Sequence, residues 1–255
     1  MIAFTCCVGE MYAELLRKSI ARWAACADKV VIVTKPGDAI TKVTLPGNVL
    51  IVETTVFDLN DAAFNKGAAL NVAYAAMDAR DHVVHFDSDI VPPHDWWKTL
   101  RAHAPRGKIV GAPRTTEKGR IIDDRGLYPY GYLQCWHAQD PRVWRWPLFD
   151  VHSKHAGSYD ANFLELWPRQ RRRLAPFTVV HIGEIRTNWF GPGQEGNQEM
   201  ADINAEGPYQ YRIRTNKLEY TERTTHISFK EFQNAYRQCN RDQLERAIRR
   251  PVQCP

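Results

Sequence analysis

Apolar and polar positions follow two alternating periods along the first ninety residues. Residues 2–8 form a short apolar run rich in Ile, Val, Phe and Thr that closes at Gly9, the pattern of a strand buried on both faces. From Met11 onward, Leu15, Leu16, Ile20, Trp23, Ala24 and Ala27 recur at three- and four-residue steps, which predicts an amphipathic helix. Lys29–Thr34 (KVVIVT), closed by Pro36-Gly37, and Val49–Glu53 (VLIVE) predict the second and third strands. Asn60 or Asp61 is placed to cap a helix through Ala62, Ala68, Leu70, Val72 and Ala76 to Arg80, and His82–Phe86 (HVVHF) predicts a fourth strand.

That alternation of strands and helices is the signature of an α/β fold with a mostly parallel central sheet flanked by helices. Ligands of such sheets sit at the carboxyl ends of the strands. Further along, Pro93 is placed to open a helix through HDWWKTLRAH, residues 108–111 predict a short strand, and residues 114–131, rich in charges and turn formers, predict a loop. Residues 132–137 and 177–181 predict strands, and residues 159–167 a short helix ended by Pro168. Residues 183–200, with four glycines, predict a loop, and the capping box Ser228…Glu231 opens a C-terminal helix to about Arg249.

Composition narrows the class only a little. A chain of 255 residues with 44% hydrophobic and 25% charged residues is an ordinary globular protein, not a fibrous, coiled-coil or disordered one. No apolar run reaches membrane-spanning length and the start, MIAFTCCVGE, lacks the features of a signal peptide, so an intracellular, cytoplasmic protein is expected. The six cysteines have no CxxC spacing, and free thiols are expected. The net charge of +5 is carried by residues 212–250, which hold ten Lys/Arg against five acids; a second basic cluster is Arg169, Arg171, Arg172 and Arg173. Such patches suit phosphate-bearing partners or serve as solvated faces.

The candidate chemistry is Asp87-Ser88-Asp89, directly after the strand HVVHF. A lone Asp-x-Asp triplet is weak evidence; its place at the carboxyl end of a buried strand is what raises it. Two desolvated carboxylates there repel each other unless a cation such as Mg²⁺ or Mn²⁺ neutralises them. The other reading is a pair of capping aspartates ahead of the helix at Pro93.

HFDSDIVPP, taken with the upstream FNKGAALNVAY, resembles the nucleotide-sugar-binding half of the GT-A glycosyltransferases, in particular the inverting β-1,4-galactosyltransferase and chondroitin-synthase type. The resemblance implies a GT-A, nucleotide-diphospho-sugar transferase fold and a metal-dependent hexosyltransferase using a UDP-sugar with Mn²⁺ or Mg²⁺. It implies Phe64, Asn65 and Lys66 at the nucleotide, Asp87 at the ribose and metal, and Asp89 on the metal. Lys66 stands where some members have Arg. HAGSYDANFLELW is similar to the segment that carries the general base, here Asp160, and FTVVHIG to the late segment whose His, here His181, completes the metal site. Residues 184–196, with Trp189, resemble the loop that closes over the donor. On residues alone, Asp160 is also read as a first-turn helix acid and His181 as a core histidine.

An intracellular transferase must find its acceptor inside the cell. The basic segments and the aromatics Tyr130, Tyr132 and Trp136 suit either a hydroxymethylated pyrimidine flipped out of DNA, as in phage-type DNA modification, or a glycan or glycolipid. Trp96-Trp97 is expected in the core. The division expected is one catalytic domain, with residues 1–110 binding the nucleotide sugar, 111–211 forming the acceptor half and lid, and 212–255 a basic extension. The alternatives are a nucleotidyltransferase, for which the first strand lacks a Gly-rich phosphate loop, and a non-catalytic nucleic-acid binder, for which the neutral first 211 residues are wrong.

Overall fold

The structure, a computed structural model, describes residues 1–62, 64–122, 129, 131–145, 147–151 and 159–183. The elements are β1 (Ile2–Cys6), α1 (Glu10–Ala24), β2 (Lys29–Thr34), β3 (Val49–Glu53), α2 (Lys66–Ala75), β4 (His82–Phe86), β5 (Ile90–Val91), α3 (Trp96–His103), β6 (Ile109–Gly111), β7 (Arg114–Thr116), β8 (Leu133–His137), α4 (Tyr159–Leu164), β9 (Arg172–Leu174) and β10 (Val179–His181).

Seven strands form the central sheet in the order β3-β2-β1-β4-β8-β6-β9, the mixed α/β architecture expected for this fold class. β1 to β4 are mutually parallel where they pair, β8 is antiparallel to both β4 and β6, and β9 is parallel to β6. Only β8 therefore runs against the other six. A small second sheet, β5-β10-β7, sits beyond the carboxyl end of β4.

The continuous apolar runs of β1, β2 and β4 follow from burial on both faces. In β2, Val30 and Ile32 point into one core while Val31 and Val33 point into the other; in β4, Val84 and Phe86 oppose Val83 in the same way. On the first face α1 buries Leu16, Ile20 and Trp23, and the Trp23 ring stacks on Phe86 at 4.0 Å and meets Trp96 of α3 edge-on at 4.7 Å. On the second face α2 and α4 cover Phe4, Trp136 and Phe149, with Phe163 4.7 Å from Trp136 and 5.1 Å from Trp167. Burying each such side chain contributes roughly 1.5–3 kcal/mol.

Several boundaries depart from expectation. The second helix starts at Lys66, because Asn65 caps it: its Oδ1 accepts from the Ala68 amide at 2.9 Å while its Nδ2 donates to the Val151 carbonyl at 2.8 Å. Residues 56–61 instead make a 3₁₀ stretch. The third helix begins at Trp96, not Pro93, with Asp95 in the left-handed region at φ 55°. The expected loop at 114–131 contains β7, and β5 and β9 are two- and three-residue strands without a periodic signal. The expected C-terminal helix lies outside the described residues, as do Cys239 and Cys254; Cys6, Cys7, Cys26 and Cys135 are free thiols. Among the described residues no helix is long and apolar enough to cross a membrane.

Asn71 ties the 148–149 backbone to α2: its Oδ1 accepts from the Leu148 and Phe149 amides at 2.8 and 2.9 Å, and its Nδ2 donates to the Phe149 carbonyl at 2.8 Å. Asn71→Ala leaves these buried backbone groups unpaired and is expected to lower stability by about 3 kcal/mol, read from the midpoint of urea unfolding. A loss under about 1 kcal/mol would mean that the segment repacks.

Candidate active site

Lys66, at the start of α2, is buried and ion-paired with Asp87, which follows β4. Burial alone favours the neutral amine, but Asp87, with Tyr159 and Cys6 beyond it, holds the Lys66 ammonium well above the ordinary lysine range. The ammonium lies over the Tyr159 ring, 4.8 Å from its centroid. Burial raises the Asp87 carboxyl; Lys66 opposes that, and the Asp89 and Asp160 carboxylates add to it.

The Asp87-Ser88-Asp89 turn is fixed by its backbone. The Asp87 amide donates to the Tyr132 carbonyl at 3.0 Å and the Ile90 amide to the Asp87 carbonyl at 3.1 Å. β10 then pairs antiparallel with β5, His181 opposite Ile90, and the Ile182 amide donates to the Asp89 carbonyl at 2.9 Å. This pairing brings His181 Nε2 to 3.3 Å from Asp89 Oδ2. His181 Nδ1 is buried with no hydrogen-bond partner among the described residues.

Asp160 lies beside this cluster. Its Oδ2 accepts from the Gly131 amide at 2.9 Å, and the neighbouring Tyr159 hydroxyl donates to the Gly131 carbonyl at 3.1 Å. A Cβ on Gly131 would stand 2.5 Å from that of Asp160 and 2.7 Å from the Tyr159 hydroxyl, so only glycine admits this approach.

The fold thus unites Lys66, Asp87, Asp89, His181 and Asp160 at the carboxyl end of the parallel strands. Among the described residues the carboxylates of Asp87, Asp89 and Asp160 gather near the Lys66 ammonium, and oxygen donors with one imidazole suit Mg²⁺ or Mn²⁺. Asn65 is fully buried as the cap of α2, and Phe64 packs its ring 5.2 Å from that of Phe57, so both stand behind Lys66. Trp189 and Tyr130 lie outside the described residues.

The aromatics and the arginines are placed differently from expectation. Trp136 is fully buried in the core and Tyr132 donates its hydroxyl to the Ala112 carbonyl at 2.6 Å, so neither offers a stacking face to a ligand. Trp96 is in the core as expected, with Trp97 packed partly against it. Arg172 is buried and pairs with Glu165 at 3.1 Å. It sits opposite Ile109 at the amino end of β6, so the arginine run lies at the opposite end of the sheet from Asp87, not on the side of the acid cluster.

Four residues not singled out from the sequence surround the cluster. Burial pushes the Cys6 thiol up to about 11 against the pull of Lys66. Burial raises the Tyr12 phenol, and Asp89 adds to it. His85 is buried under Asp87, 3.9 Å away, and burial with the Lys66 charge keeps its imidazole neutral. Tyr159 was visible only as the neighbour of Asp160.

No family model matches the sequence, and no curated protein is similar to it. Among solved structures, 4-diphosphocytidyl-2C-methyl-D-erythritol synthase from Anaerococcus prevotii DSM 20548 matches at 12% identity with a TM-score of 0.44, over 80% of this chain and 97% of that one. A second 4-diphosphocytidyl-2C-methyl-D-erythritol synthase matches at 15% identity with a TM-score of 0.44, over 79% of this chain and 96% of that one. The expected glycosyltransferase, and hexosyltransferase in particular, is not what these neighbours are: both are named as 4-diphosphocytidyl-2C-methyl-D-erythritol synthases. At this similarity they bring no residue correspondence and no substrate to this chain.

Lys66→Met removes the charge that holds Asp87 down, so the Asp87 titration, followed by carboxyl ¹³C NMR in chelator, is expected to move further up. Because ionised Asp87 then lacks its partner, the stability lost relative to the parent grows as pH rises through that titration and shrinks below it. A loss of equal size on both sides of the titration would mean that Lys66 acts through packing alone.

Proposed function

We propose that the chain is a metal-dependent nucleotidyltransferase, which takes a nucleoside monophosphate unit from a nucleoside triphosphate and joins it to a phosphate-bearing acceptor. The observation that supports this reading is the acid cluster Asp87, Asp89 and Asp160 around the buried Lys66 ammonium, with His181 at 3.3 Å from Asp89. Asp87, Asp89 and His181 are the residues that would hold a divalent ion. When bound, the ion supplies positive charge to the phosphoryl oxygens and to the departing pyrophosphate. Lys66 acts as a positioning residue: it keeps Asp87 ionised and turned toward the site.

In this reaction an acceptor phosphate oxygen forms a bond to the α-phosphorus, the bond from that phosphorus to the β-bridging oxygen breaks, and pyrophosphate leaves. A phosphate acceptor is already ionised at neutral pH and needs no general base. That agrees with an Asp160 carboxylate engaged by the Gly131 amide, and it leaves Asp160 to shape the site and contribute charge.

The test is pyrophosphate release from each of the common nucleoside triphosphates with a panel of phosphate monoesters, in Mg²⁺, in Mn²⁺ and in chelator. Release is expected to require both metal and acceptor, and to fall about 100-fold or more in Asp89→Asn, the equivalent of roughly 2.7 kcal/mol of transition-state stabilisation. Metal-independent release, an Asp89→Asn variant of parental rate, or no release with any pair would overturn the reading.

A further inference from the structure

We propose that Asp81, His82 and His137 form a second metal site, selective for zinc-class divalent ions and independent of the cluster around Asp87. His82 opens β4 and His137 closes β8, and the two stand opposite each other in the antiparallel register with ring centroids 5.1 Å apart. Five residues of extended strand, about 16 Å, separate His82 from Asp87, so this site is at the other end of the sheet. Each of the three residues offers one ligand atom, and these atoms all lie within 4.8 Å of one another.

The surrounding contacts aim those atoms. His82 Nε2 stands 2.9 Å from the Ala104 carbonyl, which requires a proton on that nitrogen and leaves Nδ1 as the ligand. Arg101 donates to Asp81 Oδ2 at 2.6 Å, so Oδ1 is the oxygen turned to His82 Nδ1, at 2.6 Å, and to His137 Nε2, at 3.8 Å. An imidazole anchored on a backbone carbonyl and a carboxylate anchored by its other oxygen are the usual outer-shell supports of metal ligands. Tetrahedral zinc, with bonds near 2.0–2.2 Å, places its ligands about 3.3 Å apart, so the first distance must open and the second close by roughly 0.5–0.7 Å. Without an ion, His82 Nδ1 and Asp81 Oδ1 are hydrogen-bonded to each other at 2.6 Å, and the ion would take the place of that bond. His137 also gives up the bond its Nδ1 accepts from the Gln139 amide at 3.1 Å, in a half-exposed turn.

Charge defines the class of ion. The Arg101 guanidinium pairs with Asp81 at 2.6 Å. One carboxylate in such surroundings holds Mg²⁺ or Ca²⁺ poorly, whereas two imidazoles bind Zn²⁺, Co²⁺ and Ni²⁺. The bound ion would clasp β4 to β8, and through Arg101 and Ala104 to α3.

The experiment uses the full chain carrying Asp89→Asn, which disables the other cluster, titrated with Zn²⁺ by calorimetry and with Co²⁺ by visible absorption. Expected are one Zn²⁺ per chain that raises the melting temperature, a tetrahedral Co²⁺ band, and no response to Mg²⁺. Adding His137→Ala, or His137→Gln should the alanine variant fold poorly, is expected to weaken Zn²⁺ binding at least about tenfold and abolish the Co²⁺ band. Absence of a Zn²⁺ response, or a response unchanged by both His137 substitutions, would overturn the proposal without touching the reaction assigned to the Asp87 cluster.

Discussion

The Lys66–Asp87 ion pair is the interaction on which the carboxyl end of the fold depends. Lys66 begins α2, Asp87 follows β4, and Tyr159, whose ring lies under the ammonium, begins α4, so three elements from distant parts of the chain meet at one charge. A buried pair of this kind tolerates loss of neither partner, since removing one leaves a desolvated charge at a cost of about 3–5 kcal/mol. Gly67 reinforces the arrangement. A side chain there would run into the Asp150 carbonyl, so the first turn of α2 rests directly on the 148–151 backbone that Asn71 also holds. The pair thus serves packing and chemistry together: it closes the core beneath Asp87 and leaves the carboxylates of Asp87 and Asp89 oriented by fixed backbone.

What was legible in the sequence follows the physical range of the forces involved. β1, β2, β4 and α1 were visible because burial on two faces, or on one helical stripe, writes itself into local periodicity, and edge strand β3 through its short apolar run. The short strands β5, β7 and β9 were not, because two or three residues carry no period and their pairing is decided by residues far away, as with Arg172 opposite Ile109. The cap of α2 illustrates the same limit. Asn60 and Asp61 have the right chemistry for capping, but Asn65 takes the role because it also reaches the Val151 carbonyl, 86 residues on. In the site, Asp87, Asp89 and Lys66 stood out through a strand end and a motif, whereas Tyr12, Cys6 and His85 belong to the site only by proximity in space.

The arginine run and the acid cluster lie at opposite ends of the sheet, which linear charge counts conceal. At the carboxyl end Asp87, Asp89 and Asp160 lie near the Lys66 ammonium. At the amino end Arg101 pairs with Asp81, Arg142 with Asp140 and Arg172 with Glu165, and the Gly107 amide and Trp167 indole both donate to fully buried Asp140. The arginine run follows α4 closely in sequence, which suggested that it flanks the catalytic side. The chain instead crosses the sheet between Leu164 and Arg172, and β9 starts at the far end. The arginine run is therefore at the other end of the sheet from the acid cluster.

The same geometry explains why a cation site here can be preorganised. The turn after β4 is held from several sides: Trp23 donates its indole N–H to the Ile90 carbonyl at 2.9 Å, Ser19 its hydroxyl to the Ser88 carbonyl at 3.4 Å, and Ile182 its amide to the Asp89 carbonyl at 2.9 Å. His181 reaches Asp89 through a pairing only two residues long, in which a slip of one residue would turn its ring to the opposite face. Register is secured instead by β7, which pairs with β10 over three residues on its other edge and leads back into the core through Ala112. The spacing of Asp89 and His181 is thus set by main-chain hydrogen bonds and by α1. A site arranged in this way spends little of its binding energy on ordering its own residues, and more of that energy is available to the phosphate groups it would hold.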